Sequence, residues 1–352
     1  MNINNPEYIQ WLRSRNLKEL SRRTIKKERK RDAVTRDILS KTRIKKAHIY
    51  NSIRNGHPFI TPSSFSFIHD PEENIKFFNS VIRYVSNFKN NGKKLFFDLS
   101  NIECLTIDAL MYLLAIIYNI REKSKHKCFY SGNFPSNQDV LDLLANSGFL
   151  NYVKSNNKIP LYSDNEKIQI VCGKKIDQII AKKICDFVIA FGNRSKPQCH
   201  FLYDMLIELM SNTKQHAYYN YNNALLNYWY IFVEHDENEI KFTFLDTGTG
   251  IPQTINKKFV EKIKMLNLKT DSQFIHSTLL GQFRTETRES HRGKGLPQIF
   301  KYYNYYHKFE KLKIISGKGT YGFGLSDNGS LTNSFQGTLF YWEIPIHSEE
   351  GE

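Results

Sequence analysis

Glu208, Asn212 and His216 fall at i, i+4 and i+8 in "ELMSNTKQHA", a spacing that lines all three along one helix face. Leu202, Met205, Leu206 and Leu209 can turn another side of that helix to a core. A carboxylate and an amide on one stripe suit a Mg²⁺-phosphate site, because the amide oxygen can ligate Mg²⁺ and the carboxylate can activate a water. The same spacing also describes an ordinary solvated face. Further on, the apolar run "EIKFTFLD" ends on Asp246 and passes into Thr-Gly-Thr-Gly-Ile-Pro. A carboxylate held at a strand end can accept a hydrogen bond from an exocyclic amine. Gly248 and Gly250, just before Ile251, let the backbone approach a flat ring. A plain tight turn would use such glycines as well. In "RGKGLPQI", Arg292, Gly293, Lys294, Gly295 and Leu296 lead into a helical pattern. Backbone N–H groups of a glycine loop at a helix N-terminus form an anion site, to which Lys294 adds charge. The stretch lacks the GxxxxGK[ST] of a P-loop and the full GxGxxG of a dinucleotide fold. A last piece, Gly337-Thr338, opens the strand "QGTLFYWEIPI".

These pieces need a scaffold. Residues 160 onward read as strand "KIQIVCGK", helix "KIDQIIAKKICDFVIAFGN", helix "HFLYDMLIELMSNTKQHAYYN", and two strands joined by the polar "DENE" as a hairpin. Residues 253–292 are polar and charged with few structural signals. The helix "LPQIFKYYNYYHKF" and strands "KLKIISGKG" and "GTLFYWEIPI" then follow. Upstream, "KKLFFDLSNI" is a strand, "TIDALMYLLAIIYNIREK" an amphipathic helix with Thr106 at its N-cap, "HKCFYSGNF" a strand, and "SNQDVLDLLANSGFLNYV" a helix broken at Gly148. That alternation implies a small α/β domain. "NGHPFITPSS" has linker composition, and residues 1–55 read as basic and helical. The expected organisation is a basic helical extension over 1–55, an α/β domain over 56–157, and a second α/β domain over 158–352.

Taken together, the four pieces of the third segment resemble the GHKL ATPase superfamily, which includes gyrase B subunits, MutL proteins, ninety-kilodalton heat-shock chaperones and histidine kinases. Glu208 and Asn212 match its N-box. Asp246, Gly248 and Gly250 match its DxGxG box, Gly293 and Gly295 its second glycine box, and Gly337-Thr338 its final strand motif. The resemblance covers about residues 160–347. It implies a Bergerat-type α/β sandwich of helices on a mixed sheet, with ATP and Mg²⁺ as cofactors. Asp246 would then bind the adenine amine, Asn212 the metal, and Glu208 would be the general base. Residues 253–292 would form the lid over the phosphates, with Arg284, Arg288 and Arg292 within reach or simply solvated. No helical hairpin with a phosphoacceptor His precedes residue 160, which argues against a two-component histidine kinase. The middle segment is similar to STAS domains through "LFFDLSNIECLTIDALMYLLAI" and "DVLDLLANSGF". The serine and glycine of that family's phosphorylation site are missing; Thr106 and Ile107 stand there, which leaves Thr106 open as a phosphoacceptor, with plain N-capping the favoured reading. The segment therefore reads as a docking module for a protein partner.

Charge narrows the partners. The chain carries a formal +15, and Met1 to Lys46 holds 15 Lys/Arg against 5 Asp/Glu, a surplus of 10. Such density can engage nucleic-acid phosphates by counterion release, with Tyr8 and Trp11 available for stacking; a solvated arm or protein-docking tail fits too. No sustained apolar face accompanies the charge, which disfavours a membrane surface. The longest apolar run, residues 109–120, is too short to span a bilayer, so no membrane insertion is expected. Five scattered cysteines (104, 128, 172, 185, 199) without a CxxC pair argue against zinc and disulfides. With no secretory signal at the N-terminus, a cytoplasmic protein is expected. Three functions stay open: an ATP-hydrolysing switch, an anti-sigma-type Ser/Thr kinase acting on a STAS partner, and a non-catalytic nucleic-acid-binding module. GHKL domains often pair when ATP is bound, so an ATP-dependent homodimer is a further expectation.

Overall fold

The computed structural model describes residues 56–86, 94–123, 129–154, 163–164, 167–192, 196–215, 225–226, 228–283, 296–297, 311–323 and 328–346. The chain divides into two compact units, Met1–Pro58 and Phe59–Glu352. Of the first, only residues 56–58 are described, so the helical reading of 1–55 lies outside the described residues. The boundary drawn at 157/158 falls inside the second unit.

In chain order the elements are β1 (His57–Ile60), β2 (Ser64–Phe65), α1 (Pro71–Ser86), β3 (Lys94–Asp98), β4 (Cys104–Leu105), α2 (Ile107–Lys123), β5 (Phe129–Gly132), α3 (Gln138–Asn146), α4 (Phe149–Lys154), β6 (Ser163–Asp164), β7 (Lys167–Gly173), α5 (Gln178–Phe191), α6 (Lys196–Gln215), β8 (Trp229–His235), β9 (Glu239–Asp246), α7 (Ile251–Lys258), α8 (Val260–Met265), α9 (Asp271–Leu279), β10 (Lys311–Phe323) and β11 (Gly329–Pro345). The protein is mixed α/β. A three-stranded sheet has the order β1-β3-β5, β2 pairs with β4, and six strands run β10-β11-β9-β8-β7-β6. Parallel pairing appears at β3–β5 and β2–β4. Every neighbouring pair in the six-stranded sheet is antiparallel, where the resemblance implied a mixed sheet. The short connections β8–β9 and β10–β11 allow nothing else, since a hairpin can only join antiparallel strands.

Local signals explain the helix starts. Pro71 opens α1 behind Asp70, whose Oδ1 accepts from the Glu73 N–H at 3.4 Å, and Glu72 and Glu73 sit in the first turn. Asp177 caps α5 through the N–H groups of Ile179 (3.0 Å) and Ile180 (3.1 Å). Thr270 and Gln273 form a reciprocal capping box at α9. That helix overturns the view of residues 253–292 as poor in structure, because 251–279 fold into α7, α8 and α9. Phe274, Ile275 and Leu279 bury their side chains, but nine residues are too few for the helical period to stand out among polar neighbours.

The six-stranded sheet is covered on both faces. Trp229, Ile231, Val233, Ile240, Phe242 and Phe244 pack with α5 and α6, while Tyr230, Phe232 and Leu245 face the other way and join α1, α2 and α4 in one core. Phe67, Phe78, Tyr112 and Phe335 knit this second core with ring centroids 4.9 to 5.3 Å apart. Such aromatic pairs contribute about 1 kcal/mol each beyond their burial. The run 109–120 is therefore a core helix, and among the described residues no helix is long and apolar enough to cross a membrane.

Candidate functional site

Helix α6 buries Leu202, Met205, Leu206, Leu209, Met210 and Thr213 against the sheet. Glu208, Ser211 and Asn212 are half-buried on the flank of that stripe. Thr213 is fully buried; its hydroxyl donates to the Leu209 carbonyl at 3.3 Å and stands near enough to the Asp246 carboxyl to favour its ionised form. The helix bearing Glu208 and Asn212 thus reaches Asp246 through a residue that the sequence reading missed. His216 lies outside the described residues.

Asp246 ends β9 with its side chain buried. Its Oδ1 accepts from the Gly248 N–H at 2.9 Å. Burial pushes the carboxyl up to about 6, although the Gly248 N–H and Thr213 hydroxyl pull the other way. Thr247 ties the loop to the strand before it: its N–H donates to the Tyr228 carbonyl at 3.0 Å, and its Oγ1 accepts from the Tyr228 N–H at 3.0 Å. Thr249 is buried, and its Oγ1 has no hydrogen-bond partner among the described residues. A buried, unmatched hydroxyl between Gly248 and Gly250 is costly unless a ligand or water completes it. That orphan is the local observation that fits a bound polar molecule.

Strand register carries Gly337 and Thr338 to the same place. Asp246 faces Thr338 on β11 and Trp229 on β8. Gly250 adopts φ 86°, and a Cβ there would stand 2.9 Å from both the Gly337 carbonyl oxygen and Ser316 Oγ. Ser316, also missed from sequence, is fully buried. It donates to the Gly337 carbonyl at 2.8 Å, accepts from the Ile251 N–H at 3.0 Å, and lies 3.0 Å from Thr338 Oγ1. Asp246, Gly248, Gly250, Ile251 and Thr338 are thus brought together, nearly a hundred residues apart in the chain. Leu296 packs, partly buried, against the core of α5, α6 and the sheet. Arg284, Arg288, Arg292, Gly293, Lys294 and Gly295 lie outside the described residues. Among the described residues no cluster of three His, Cys, Asp or Glu could by itself hold a metal ion.

Thr106 stands just before α2, half-buried, and its hydroxyl donates to Asp108 rather than being free. Asp108 is buried and also accepts from the N–H groups of Phe67 (3.4 Å) and Ile68 (3.1 Å). Burial raises the Asp108 carboxyl above its ordinary range despite these donors. A phosphate on Thr106 would set a second negative group against that carboxyl.

Comparison of the sequence with protein-family models and with curated proteins gives no significant match.

Proposed function

We propose that the protein is an ATP-binding switch of the GHKL type that hydrolyses ATP slowly, with residues 158–352 a Bergerat-type unit and 56–157 a STAS-like module. The observation that carries this reading is the meeting of Asp246, Gly248 and Gly250 with Thr213 of α6 and with Gly337-Thr338 around one buried carboxyl. A buried carboxylate with spare acceptor capacity suits the amino group of adenine, and the unmatched Thr249 hydroxyl suits a polar ring edge. Asn212 would supply an amide oxygen to Mg²⁺, and Glu208 would orient and deprotonate the attacking water. Arg292, Gly293, Lys294 and Gly295, with Leu296 behind them, would hold the phosphates, and His216 would flank them. Lid closure would be read by a protein partner or by nucleic acid held through residues 1–46, and ATP would favour a homodimer.

Full-length protein given γ-labelled ATP and Mg²⁺, wild type beside Glu208→Ala, tests the reading. Glu208-dependent label in free phosphate is the expected result. Label in protein would point instead to the anti-sigma-type Ser/Thr kinase. ATP bound without any turnover would leave a nucleotide-gated binding module.

A further inference from the structure

We propose that Tyr112 is a positioning residue for the Asp246 site: its hydroxyl holds the Gln336 carbonyl, and with it the Gly337 corner that packs on Asp246. The inference rests on the nucleotide reading above.

The register between β10 and β11 passes from Ser316↔Thr338 directly to Gly317↔Phe335. Gln336 and Gly337 therefore bulge out of the ladder, and their carbonyls need other partners. The Gly337 carbonyl takes the Ser316 hydroxyl at 2.8 Å. The Gln336 carbonyl takes the Tyr112 hydroxyl, from α2 on the opposite side of the chain's sequence, at 3.1 Å. Tyr112 is buried, and burial holds its phenol protonated and a donor at any ordinary pH. Its ring also packs on Phe335 at 4.9 Å.

The grip continues back along β11. Glu72 of α1 accepts from the Thr332 N–H, from Thr332 Oγ1 (2.7 Å) and from Asn333 Nδ2 (3.4 Å). Asn79 Nδ2 donates to the Ser334 carbonyl at 3.0 Å. Helices α1 and α2 thus hold the strand over residues 332–336, up to the glycine that must fit under Asp246. A bulge bonded only to its own sheet would have another choice of position; one pinned from a neighbouring layer does not.

Tyr112→Phe removes the hydroxyl and keeps the ring. Tyr152→Phe, whose hydroxyl donates to the Ile170 carbonyl at 2.8 Å away from this corner, is the control for loss of a buried phenol. Both are made in the full chain, with amide exchange at Gly337, Thr338 and Thr243 and Mg-ATP affinity as readouts. In Tyr112→Phe, exchange at Gly337 and Thr338 is expected to quicken about tenfold with Thr243 unchanged, and ATP to bind about tenfold more weakly. Tyr152→Phe is expected to do neither. Unchanged exchange at Gly337 and Thr338, equal acceleration at Thr243, or unchanged ATP affinity beside local loosening overturns the proposal. A wild type that binds no ATP overturns the nucleotide reading and with it the role of Tyr112 in ATP binding; the exchange data alone then decide the bulge clamp.

Discussion

Gly337 packs against the main chain of Asp246 so closely that a Cβ on it would fall 2.1 Å from the Asp246 carbonyl oxygen. Gly337 also has φ 105°, a region that L side chains rarely enter. The final strand motif and the DxG loop are therefore one packed corner.

Gly337→Ala should accordingly be severe. Positive φ and backbone overlap together are expected to cost about 3 kcal/mol or more in urea unfolding. Gly329→Ala is the control, since its Cβ would meet nothing nearer than Thr320 Oγ1 at 3.8 Å, and it should shift stability by less than about 1 kcal/mol. Equal effects would contradict the packing.

Asp246→Asn isolates the cost of a buried charge. The Asp246 carboxyl stands at about 6 against an ordinary 3.8, so between those pH values the folded state holds more protons than the unfolded state. Stability from this group is complete below pH 3.8 and is lost as pH rises through about 6, on the order of 3 kcal/mol in all. Asparagine does not titrate. The stability difference between variant and wild type should therefore move in the variant's favour between pH 4 and pH 7.5, measured by urea unfolding. A difference that stays flat with pH would mean that the carboxylate ionises without penalty.

Ile68 is bound on both sides of its backbone: Asp108 takes its N–H at 3.1 Å, and Lys313 Nζ donates to its carbonyl at 2.7 Å. Asp108→Ala orphans the N–H groups of Phe67 and Ile68 and is expected to destabilise by about 3 kcal/mol. Thr106→Ala should cost about 1 kcal/mol, and no label should appear on Thr106 in protein incubated with γ-labelled ATP. Phosphothreonine at 106 by mass spectrometry would overturn this account of the α2 start.

The surplus of 10 positive charges in residues 1–46 sets a further expectation. Binding to a nucleic-acid duplex should fall at least about tenfold between 50 and 200 mM salt, and deletion of 1–46 should abolish it. Salt-insensitive binding, or binding that survives the deletion, would assign the basic segment another role.

Much of this was legible because period and punctuation agree. The β8–β9 hairpin, the body of α5 and α6 with its buried Leu/Met stripe follow from spacing alone, although α5 starts at Gln178 behind an Asp177 cap that the pattern placed inside the helix. The strand that ends on Asp246 and the glycine turn after it were legible for the same reason. Ser316 and Thr213 were not, because the hydrogen bonds of Ser316 and the approach of Thr213 to Asp246 are tertiary and no local pattern encodes them. The helices over 251–279 were hidden by short length and polarity, although Thr270 and Gln273 stand at capping-box spacing. Nor does a sequence reveal that α2 lies on the back of the six-stranded sheet, since its apolar face would suit any core.

The most direct test of the central claim is a calorimetric titration of Mg-ATP into the full-length protein and its Asp246→Asn variant at pH 7.5. Saturable binding by wild type, weakened at least about tenfold in the variant by loss of a charge-assisted hydrogen bond, is the expected result. Equal affinity in the two proteins, or no binding by wild type, would contradict the assignment of Asp246 to an adenine nucleotide.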